Sequence, residues 1–337
     1  MKNLLDPAIL FFIFGVLAGA AKSNLEIPQP ISRFLSLYLL MALGLKGGFA
    51  LAHSGLTMQV STGLGCAFLL AIAVPLIGYQ VLKKFLSNFD ALAVAATYGS
   101  VSAVTFVTAV QVLENQHIAY GGHMAAAMAL MESPAIILAV VFANVLRQRS
   151  TVSVGAAGTG GAVMAMGQQP NRQVVSIGKI LHESFTDGAQ LLLLGAMVVG
   201  ILSGDAGKAA MQPFSGDLFK GMLAFFLLDM GLLTSRNLPQ IRNNSPWLIT
   251  YAIVGPLAHA GIALTLAWLF SMSPGDATLL MVLAASASYI AVPAVLRYAL
   301  PEAKPSLYFG LSLGITFPLN IIFGIPLYML VAQSVLS

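Results

Sequence analysis

The chain has 337 residues, of which 58% are hydrophobic and only 8% are charged, whereas soluble domains carry about 25% charged residues. Its mean hydropathy is +0.87, and its net charge of +4 is scattered without a basic stripe. This composition excludes a soluble globular enzyme and argues against nucleic-acid binding. The apolar blocks are long enough to cross a hydrocarbon layer of about 30 Å, so the sequence predicts an all-α polytopic membrane protein.

Apolar runs bounded by charges, prolines or glycines predict ten transmembrane helices. The first run is followed by Lys22 and Asn24 without an Ala-x-Ala cleavage pattern, so we expect a retained helix and not a signal peptide. The ten predicted spans are residues 8–21, 34–52, 60–82, 90–113, 122–146, 188–203, 215–234, 246–270, 277–299 and 306–335.

The basic residues predict the orientation, because positively charged loops stay in the cytoplasm. We place both termini on the periplasmic side of a plasma (inner) membrane, so that only Lys2 and Lys208 of the 16 basic residues are outside. Lys46 and Lys220 lie within spans, and we expect them to snorkel to an interface. The other 12 are cytoplasmic: Lys22, Arg33, Lys83, Lys84, Arg147, Arg149, Arg172, Lys179, Arg236, Arg242, Arg297 and Lys304.

The two halves of the chain resemble each other in order and spacing. A Gly-, Ser- and Gln-rich segment at 147–186 predicts a flexible cytoplasmic linker between a first unit, 1–146, and a second, 187–337. Five spans per unit is an odd number, so the second unit enters the membrane from the opposite face, which is an inverted-topology repeat. The matching pairs, 184 to 187 residues apart, are Gly15 and Gly200, Gly44 and Gly231, Asp90 and Asp276, Ser100 and Ser286, and Pro134 and Pro318.

The fourth and ninth spans are the candidates for discontinuous helices at a substrate site. They read ATYGSVSAVTFVTA and AASASYIAVPAVL, and Gly99 and Pro293 are able to break or bend them. An interrupted helix offers amide hydrogens to an anion and carbonyl oxygens to sodium, and hydroxyls serve both. The alternative is that small residues only let two helices cross closely. The candidate residues are Thr97, Gly99, Ser100, Val101, Ser102, Thr105, Ser286, Ala287, Ser288 and Tyr289, with sodium at or near Ser102 and Ser288.

Three polar residues in the fifth and tenth spans extend this candidate site: Glu132, Thr316 and Asn320. A carboxylate inside an apolar span is costly, so Glu132 is a candidate to coordinate sodium or to shuttle a proton, with a purely structural role as the alternative. The sequence shows no P-loop, dinucleotide fingerprint, nucleophile–base set or metal-ligand spacing of its histidines. We therefore expect no enzyme activity and no organic cofactor.

Several long segments resemble the cyanobacterial sodium-dependent bicarbonate transporters, the SbtA family. They are LDPAILFFIFGVLAGAAKSNLEIP, LAVAATYGSVSAVTFVTAVQVLENQ, MALMESPAI and FLLDMGLLTSR. The resemblance implies two inverted five-helix repeats divided into core and gate domains, a homotrimer, and sodium-coupled bicarbonate uptake for the carbon-concentrating mechanism. It also implies a cytoplasmic PII-like regulator, SbtB.

Three hypotheses follow for the function. The first is a sodium:bicarbonate symporter with spans four, five, nine and ten as the core and the other spans as scaffold and trimer contacts. The second keeps the architecture but changes the cargo, to a sodium-coupled organic-anion symporter or a sodium/proton antiporter. The third, of another class, is a membrane anchor or receptor for a PII-like signalling protein.

Overall fold

The computed structural model describes residues 6–55, 57–155, 188–241 and 245–336, and every regular element in these ranges is helical. Seven helical segments within them are long and apolar enough to cross a membrane. The predicted linker at 147–186 lies outside the described residues from position 156 onward, and its first part, 147–155, continues a helix.

The described helices are numbered in chain order. They are α1 (Pro7–Ala20), α2 (Gln29–Ser54), α3 (Met58–Leu82), α4 (Asn88–Gly99), α5 (Ala103–Asn115), α6 (His123–Glu132), α7 (Pro134–Gly155), α8 (Gly188–Gln212), α9 (Leu218–Ile241), α10 (Pro246–Leu269), α11 (Pro274–Ala285), α12 (Ala291–Ala299) and α13 (Pro305–Leu336). Three π-helical turns accompany them, Pro213–Asp217 before α9 and Ser312–Thr316 and Asn320–Gly324 inside α13.

Each predicted span falls on a helix or a broken pair of helices. The fourth, fifth and ninth spans are the broken ones and become α4 with α5, α6 with α7, and α11 with α12. Pro293 does not make the break in the ninth span, because it lies in the first turn of α12, where the missing N–H of proline costs nothing. The break lies earlier, at residues 286–290.

The starts of α4 and α11 have the same local design. A serine three residues before Asp90 and another before Asp276 cap the two helices, with N–H···Oγ distances of 3.1 and 3.2 Å. The two carboxylates then accept backbone N–H groups from distant segments. Asp90 accepts from Lys304 at 2.8 Å, and Asp276 accepts from Gly121 at 2.6 Å. The start of α4 is thereby fixed to the segment before α13, and the start of α11 to the segment before α6.

Glycines bring two helix pairs into backbone contact, α1 with α9 and α2 with α8. A Cβ built on Gly231 would lie 3.0 Å from the Cα of Gly15, and one built on Gly200 would lie 3.0 Å from the Cα of Gly48. Small residues allow this approach, which is a common way to associate helices in lipid. We call α1, α2, α8 and α9 the first helix group.

The second helix group surrounds the broken helices. α3 packs on α4 and α6, α10 packs on α11, and α13 packs on α11. Both α4 and α11 are buried along nearly their whole length, so they are shielded from the surroundings by the helices around them. The helices of spans three and eight, α3 and α10, thus lie against the broken helices and not with the first group, which differs from the scaffold role expected from the sequence.

Candidate functional site

The two broken helices meet at their interruptions. α4 ends at Gly99 and α5 begins at Ala103, and α11 ends at Ala285 and α12 begins at Ala291. Ser100, Ser102 and Ser286 adopt extended backbone angles. The two Ser-x-Ser segments, predicted from sequence to lie together, are therefore the linkers of two interrupted helices.

Two hydrogen bonds join the interruptions, one between the two linkers and one from the second linker to the last turn of α4. The N–H of Ser102 donates to the Oγ of Ser286 at 3.0 Å, and the N–H of Ser288 donates to the carbonyl oxygen of Thr97 at 2.8 Å. All four residues are buried. Unpaired backbone groups in such a place cost free energy, so these bonds are what makes the double interruption tolerable inside an apolar fold.

The hydroxyls of the linkers also cap the helices that follow. The Oγ of Ser102 accepts the N–H of Thr105 at 3.3 Å and its hydroxyl at 2.9 Å. The Oγ of Ser288 accepts the N–H of Val292 at 3.3 Å. A hydroxyl oxygen has two lone pairs. Ser102 has therefore used both of its acceptor positions, whereas Ser288 has used one.

A cavity of about 210 Å³ lies beside this crossing. Five of the residues predicted for the site line it, and residues of α2 and α8 form its opposite wall. The first residues of α5 and of α12 also line it, so both half-helices direct their N-terminal ends toward the same space. The predicted lining residues are Val101, Ser102, Ser288, Tyr289 and Glu132.

The other predicted residues lie behind the cavity wall. Those of the crossing are buried, and the Oγ1 of Thr97 and the Oγ of Ser100 donate to backbone carbonyls at 2.9 and 3.0 Å. Gly99 lies against Pro75, and a Cβ at this position would come within 2.5 Å of the proline ring. The cavity lining does not include Thr97, Gly99, Ser100, Thr105, Ser286, Ala287, Thr316 or Asn320.

Thr316 and Asn320 brace the broken helices from α13. The Oγ1 of Thr316 lies 2.7 Å from the hydroxyl of Tyr98 and 2.7 Å from the carbonyl oxygen of Ala252. The Nδ2 of Asn320 donates to the carbonyl oxygen of Ala285, the last residue of α11, at 2.8 Å. Both side chains position the site without lining it.

Glu132 lies at the break between α6 and α7 and faces the cavity. Its Oε2 accepts a hydrogen bond from the Nε2 of Gln190 at 2.9 Å, and the same nitrogen lies 3.2 Å from the Oγ of Ser133. α6 has 10 residues, so Glu132 lies about 15 Å along the helix from its start. A carboxylate inside an apolar span is costly, which makes Glu132 a functional candidate.

Sequence reasoning missed three polar residues of the cavity: Ser36, Ser133 and Gln190. The only sequence signal for Gln190 was its position as a single amide at the start of the apolar run GAQLLLLGAM. Ser36 and Gln190 belong to the first helix group, so the cavity lies between the two groups. Among the described residues, no lysine or arginine lines it, and no cluster of three His, Cys, Asp or Glu side chains suited to a metal ion occurs.

Comparison with known proteins gives one family. The model of the Na⁺-dependent bicarbonate transporter superfamily matches residues 7–333, which is nearly the whole chain. No curated protein sequence matches the chain.

Proposed function

Because the chain belongs to the Na⁺-dependent bicarbonate transporter superfamily, we propose that it is a secondary active transporter that carries bicarbonate into the cell together with sodium. The observation that carries this proposal is the cavity at the helix crossing. It offers hydroxyls and two half-helix N-termini, and no cationic side chain lines it among the described residues. Such a lining suits a small hydrogen-bonding anion that travels with its own counter-ion.

The chemistry of the lining suggests where each ion binds. The N-terminal amides of α5 and α12 and the proton of the Ser102 hydroxyl are donors, and they suit the anion. Ser288 retains an acceptor lone pair, and Glu132 supplies a carboxylate to the lining of the same cavity. Both are oxygen ligands of the kind that a hard cation prefers. We therefore place bicarbonate at the helix N-termini with Ser102, and sodium toward Ser288 and Glu132.

An inverted repeat would give this site alternating access. In its support, the units 1–146 and 187–337 make similar contacts. Gly15 approaches Gly231, and its repeat partner Gly200 approaches Gly48, about one helical turn from Gly44, the repeat partner of Gly231. The equivalent capped carboxylates Asp90 and Asp276 each accept a distant backbone N–H. We propose a ten-span transporter whose gate is the first helix group and whose core is the second, with α3 and α10 in the core.

The orientation follows from the basic residues, with both termini periplasmic and the segment 147–186 cytoplasmic. In this orientation the cavity is lined by the cytoplasmic halves of α2 and α8, at Leu40 and Leu193. The periplasmic half of α2 touches the core instead, where a Cβ on Gly122 would lie 2.4 Å from the carbonyl oxygen of Gly47. The structure is therefore assigned to an inward-facing conformation.

The resemblance to SbtA adds three further proposals. The protein resides in the plasma membrane as a homotrimer, it supplies a carbon-concentrating mechanism, and a PII-like protein, SbtB, binds its cytoplasmic face. Size-exclusion chromatography with light scattering of the detergent-solubilised protein tests the trimer. Co-purification with the regulator, with adenine nucleotides present or absent, tests the partner.

One observation favours a second candidate, the sodium/proton antiporter. The Ser-x-Ser segments contain no carboxylate, but the fold brings Glu132 into the same cavity. An antiporter should move protons when sodium is added to vesicles without bicarbonate, and Glu132→Gln should abolish that movement. A symporter should move none under the same conditions, as followed by a pH-sensitive dye inside the vesicles.

Uptake of radiolabelled bicarbonate into proteoliposomes tests the main proposal. We expect uptake to require an inward sodium gradient and to fall at least about tenfold in Ser102→Ala and Ser288→Ala, because each loses a charge-assisted contact. Ser334→Ala, at an exposed position near the end of α13, is the matched control and should transport normally. Equal uptake with and without the gradient would refute symport, and normal uptake in both site variants would refute the site.

A further inference from the structure

A second and larger cavity, of about 670 Å³, lies at the opposite end of the two helix groups from the cytoplasmic cavity. Its walls come from α2, α8 and α9 of the first group and from the C-terminal end of α5 in the second. Three lysines line it, Lys46, Lys208 and Lys220, together with the acidic residues Glu114 and Asp217. We call this cavity the outer vestibule.

Lys46 forms the one ion pair described between the two helix groups in the vestibule. Its Nζ lies 3.0 Å from each carboxylate oxygen of Glu114, and it also lies over the ring of Phe219, 4.1 Å from the centroid. The two charged side chains are 19% and 29% exposed. The pair is therefore reachable from the vestibule and is not sealed in the interior. The sequence predicted that Lys46 snorkels to an interface, and in the structure its ammonium binds Glu114.

Glu114 has a second donor of its own. The hydroxyl of Tyr120 donates to Glu114 Oε1 at 3.0 Å. Burial, with the negative charge of Glu114 nearby, raises the pKa of Tyr120 well above its ordinary value, so the phenol keeps the proton it donates. When Lys46 leaves, the carboxylate of Glu114 keeps a hydrogen bond, whereas the ammonium of Lys46 needs a new partner.

The remaining charges that line the vestibule leave a positive excess of one, and one further acid lies at its rim. Lys220 donates to the amide oxygen of Asn115 at 3.1 Å, and Lys208 is exposed without an ion pair among the described residues. Asp217 is the other acid in the lining, and at the rim Asp205 lies 3.4 Å from the Nε2 of His53. With Lys46 bound to Glu114, two lysines face one carboxylate in the lining.

We propose that Lys46 is the docking residue for the incoming anion, a small monovalent oxyanion such as bicarbonate, and that it exchanges Glu114 for this anion when the vestibule opens. The inference rests on the proposed transport function. α2 carries Lys46 and α5 carries Glu114, and alternating access separates their two groups at this end, so the ion pair breaks in each cycle. The anion takes the place of the carboxylate, which has the same charge and the same two-oxygen geometry.

Transport kinetics of two opposite charge neutralisations test this exchange. Lys46→Gln should raise the KM for bicarbonate about tenfold or more, while Glu114→Gln should lower the KM or leave it unchanged because it releases the lysine. Lys84→Gln, exposed at the cytoplasmic end, is the matched control and should keep the wild-type KM. An ion pair that only holds the structure together predicts the same direction of change in both variants, and that outcome would overturn the proposal.

Labelling of a cysteine placed in the vestibule tests the same proposal without requiring transport. Cys66 is the single cysteine of the chain and is buried, so Cys66→Ala provides a background for Gln212→Cys in the vestibule and for Met58→Cys, an exposed position outside it. The ratio of labelling rates with an anionic and a cationic thiosulfonate should be higher at position 212 than at 58. It should fall with Lys46→Gln and rise with Glu114→Gln, and bicarbonate should slow the anionic reagent at 212.

The two experiments separate the two proposals. If wild-type vesicles show no sodium-driven uptake but the labelling ratio follows these charge changes, symport fails and the anion site stands. If uptake is sodium-driven but the labelling ratio at position 212 changes with neither Lys46→Gln nor Glu114→Gln, symport stands and the docking role of Lys46 is refuted.

Discussion

The contact between α2 and α8 predicts a large effect from one methyl group. Gly48 and Gly200 face each other there, and a Cβ at Gly48 would lie 2.2 Å from the carbonyl oxygen of Met197 and 2.9 Å from the Cα of Gly200. Ordinary contacts of a Cβ are 3.4 to 4 Å. Gly48→Ala therefore has to push the two helices apart by about 1 Å, and because the obstacle is backbone, no side-chain rotation relieves it.

The size of the effect follows from the overpacking cost. Extra methyl groups in well-packed interiors cost about 1–3 kcal/mol, and about 2 kcal/mol corresponds to a roughly 30-fold change in the folding equilibrium. Gly195, on the same helix α8, has nothing within 4 Å of its Cβ position. Gly195→Ala should instead stabilise the protein by up to about 1 kcal/mol, because alanine favours helix more than glycine does.

Unfolding by SDS in mixed micelles, followed by circular dichroism, measures both variants. We expect the midpoint of Gly48→Ala to move to lower SDS and that of Gly195→Ala to stay or rise. Gly231→Ala makes the same test at the contact of α1 with α9, where a Cβ would lie 2.2 Å from the carbonyl oxygen of Phe12. Equal midpoints for Gly48→Ala and Gly195→Ala would show that the close backbone approach does not exist.

Three further outcomes are expected from substitutions at the ends of the broken helices. Asn320→Leu leaves the terminal carbonyl of α11 without its donor, so it should lower the unfolding free energy by about 1–3 kcal/mol and reduce sodium-dependent uptake. Tyr328→Phe removes only the hydroxyl that donates to this asparagine, so it should lower the unfolding free energy less. Equal losses in the two variants would contradict the bracing role. Gly99→Ala should lower both uptake and the SDS midpoint, because its Cβ would lie 2.5 Å from the ring of Pro75. Normal uptake in this variant would show that the end of α4 accommodates a methyl group. Ser273→Ala removes the cap of α11 and should lower the unfolding free energy by about 1 kcal/mol. The same SDS titration measures this effect, and an unchanged midpoint would contradict the capping role of Ser273.

The paired Ser-x-Ser segments show how far sequence reasoning reached into the site. Small polar residues at matching positions of two similar halves predicted two interruptions, and the helices end within a residue or two of Ser100 and Ser286. The sequence did not distinguish the hydroxyls that face the cavity from those that face the backbone. Thr97 and Ser100 donate to carbonyls, whereas Ser102 and Ser288 face the cavity, and this difference depends on the direction of each linker.

Glu132 and Gln190 show what lay beyond the sequence. They are 58 residues apart, and their 2.9 Å hydrogen bond spans the boundary between the two helix groups. Lys46 and Glu114, 68 residues apart, do the same at the other end. Residues far apart in the chain are brought together by packing angles and helix order, which no local pattern records.

The sequence by itself determined that the chain is a membrane protein and the family to which it belongs, and it predicted ten apolar spans. It did so because hydrocarbon imposes long charge-poor segments, and because charged loops and repeated motifs leave local patterns. Only the tertiary structure decided which hydroxyls face the cavity, that a carboxylate lies among them, and that α3 and α10 pack with the broken helices. These facts depend on backbone contacts between distant glycines and on capped linkers that meet in space, so they arise from packing and not from composition.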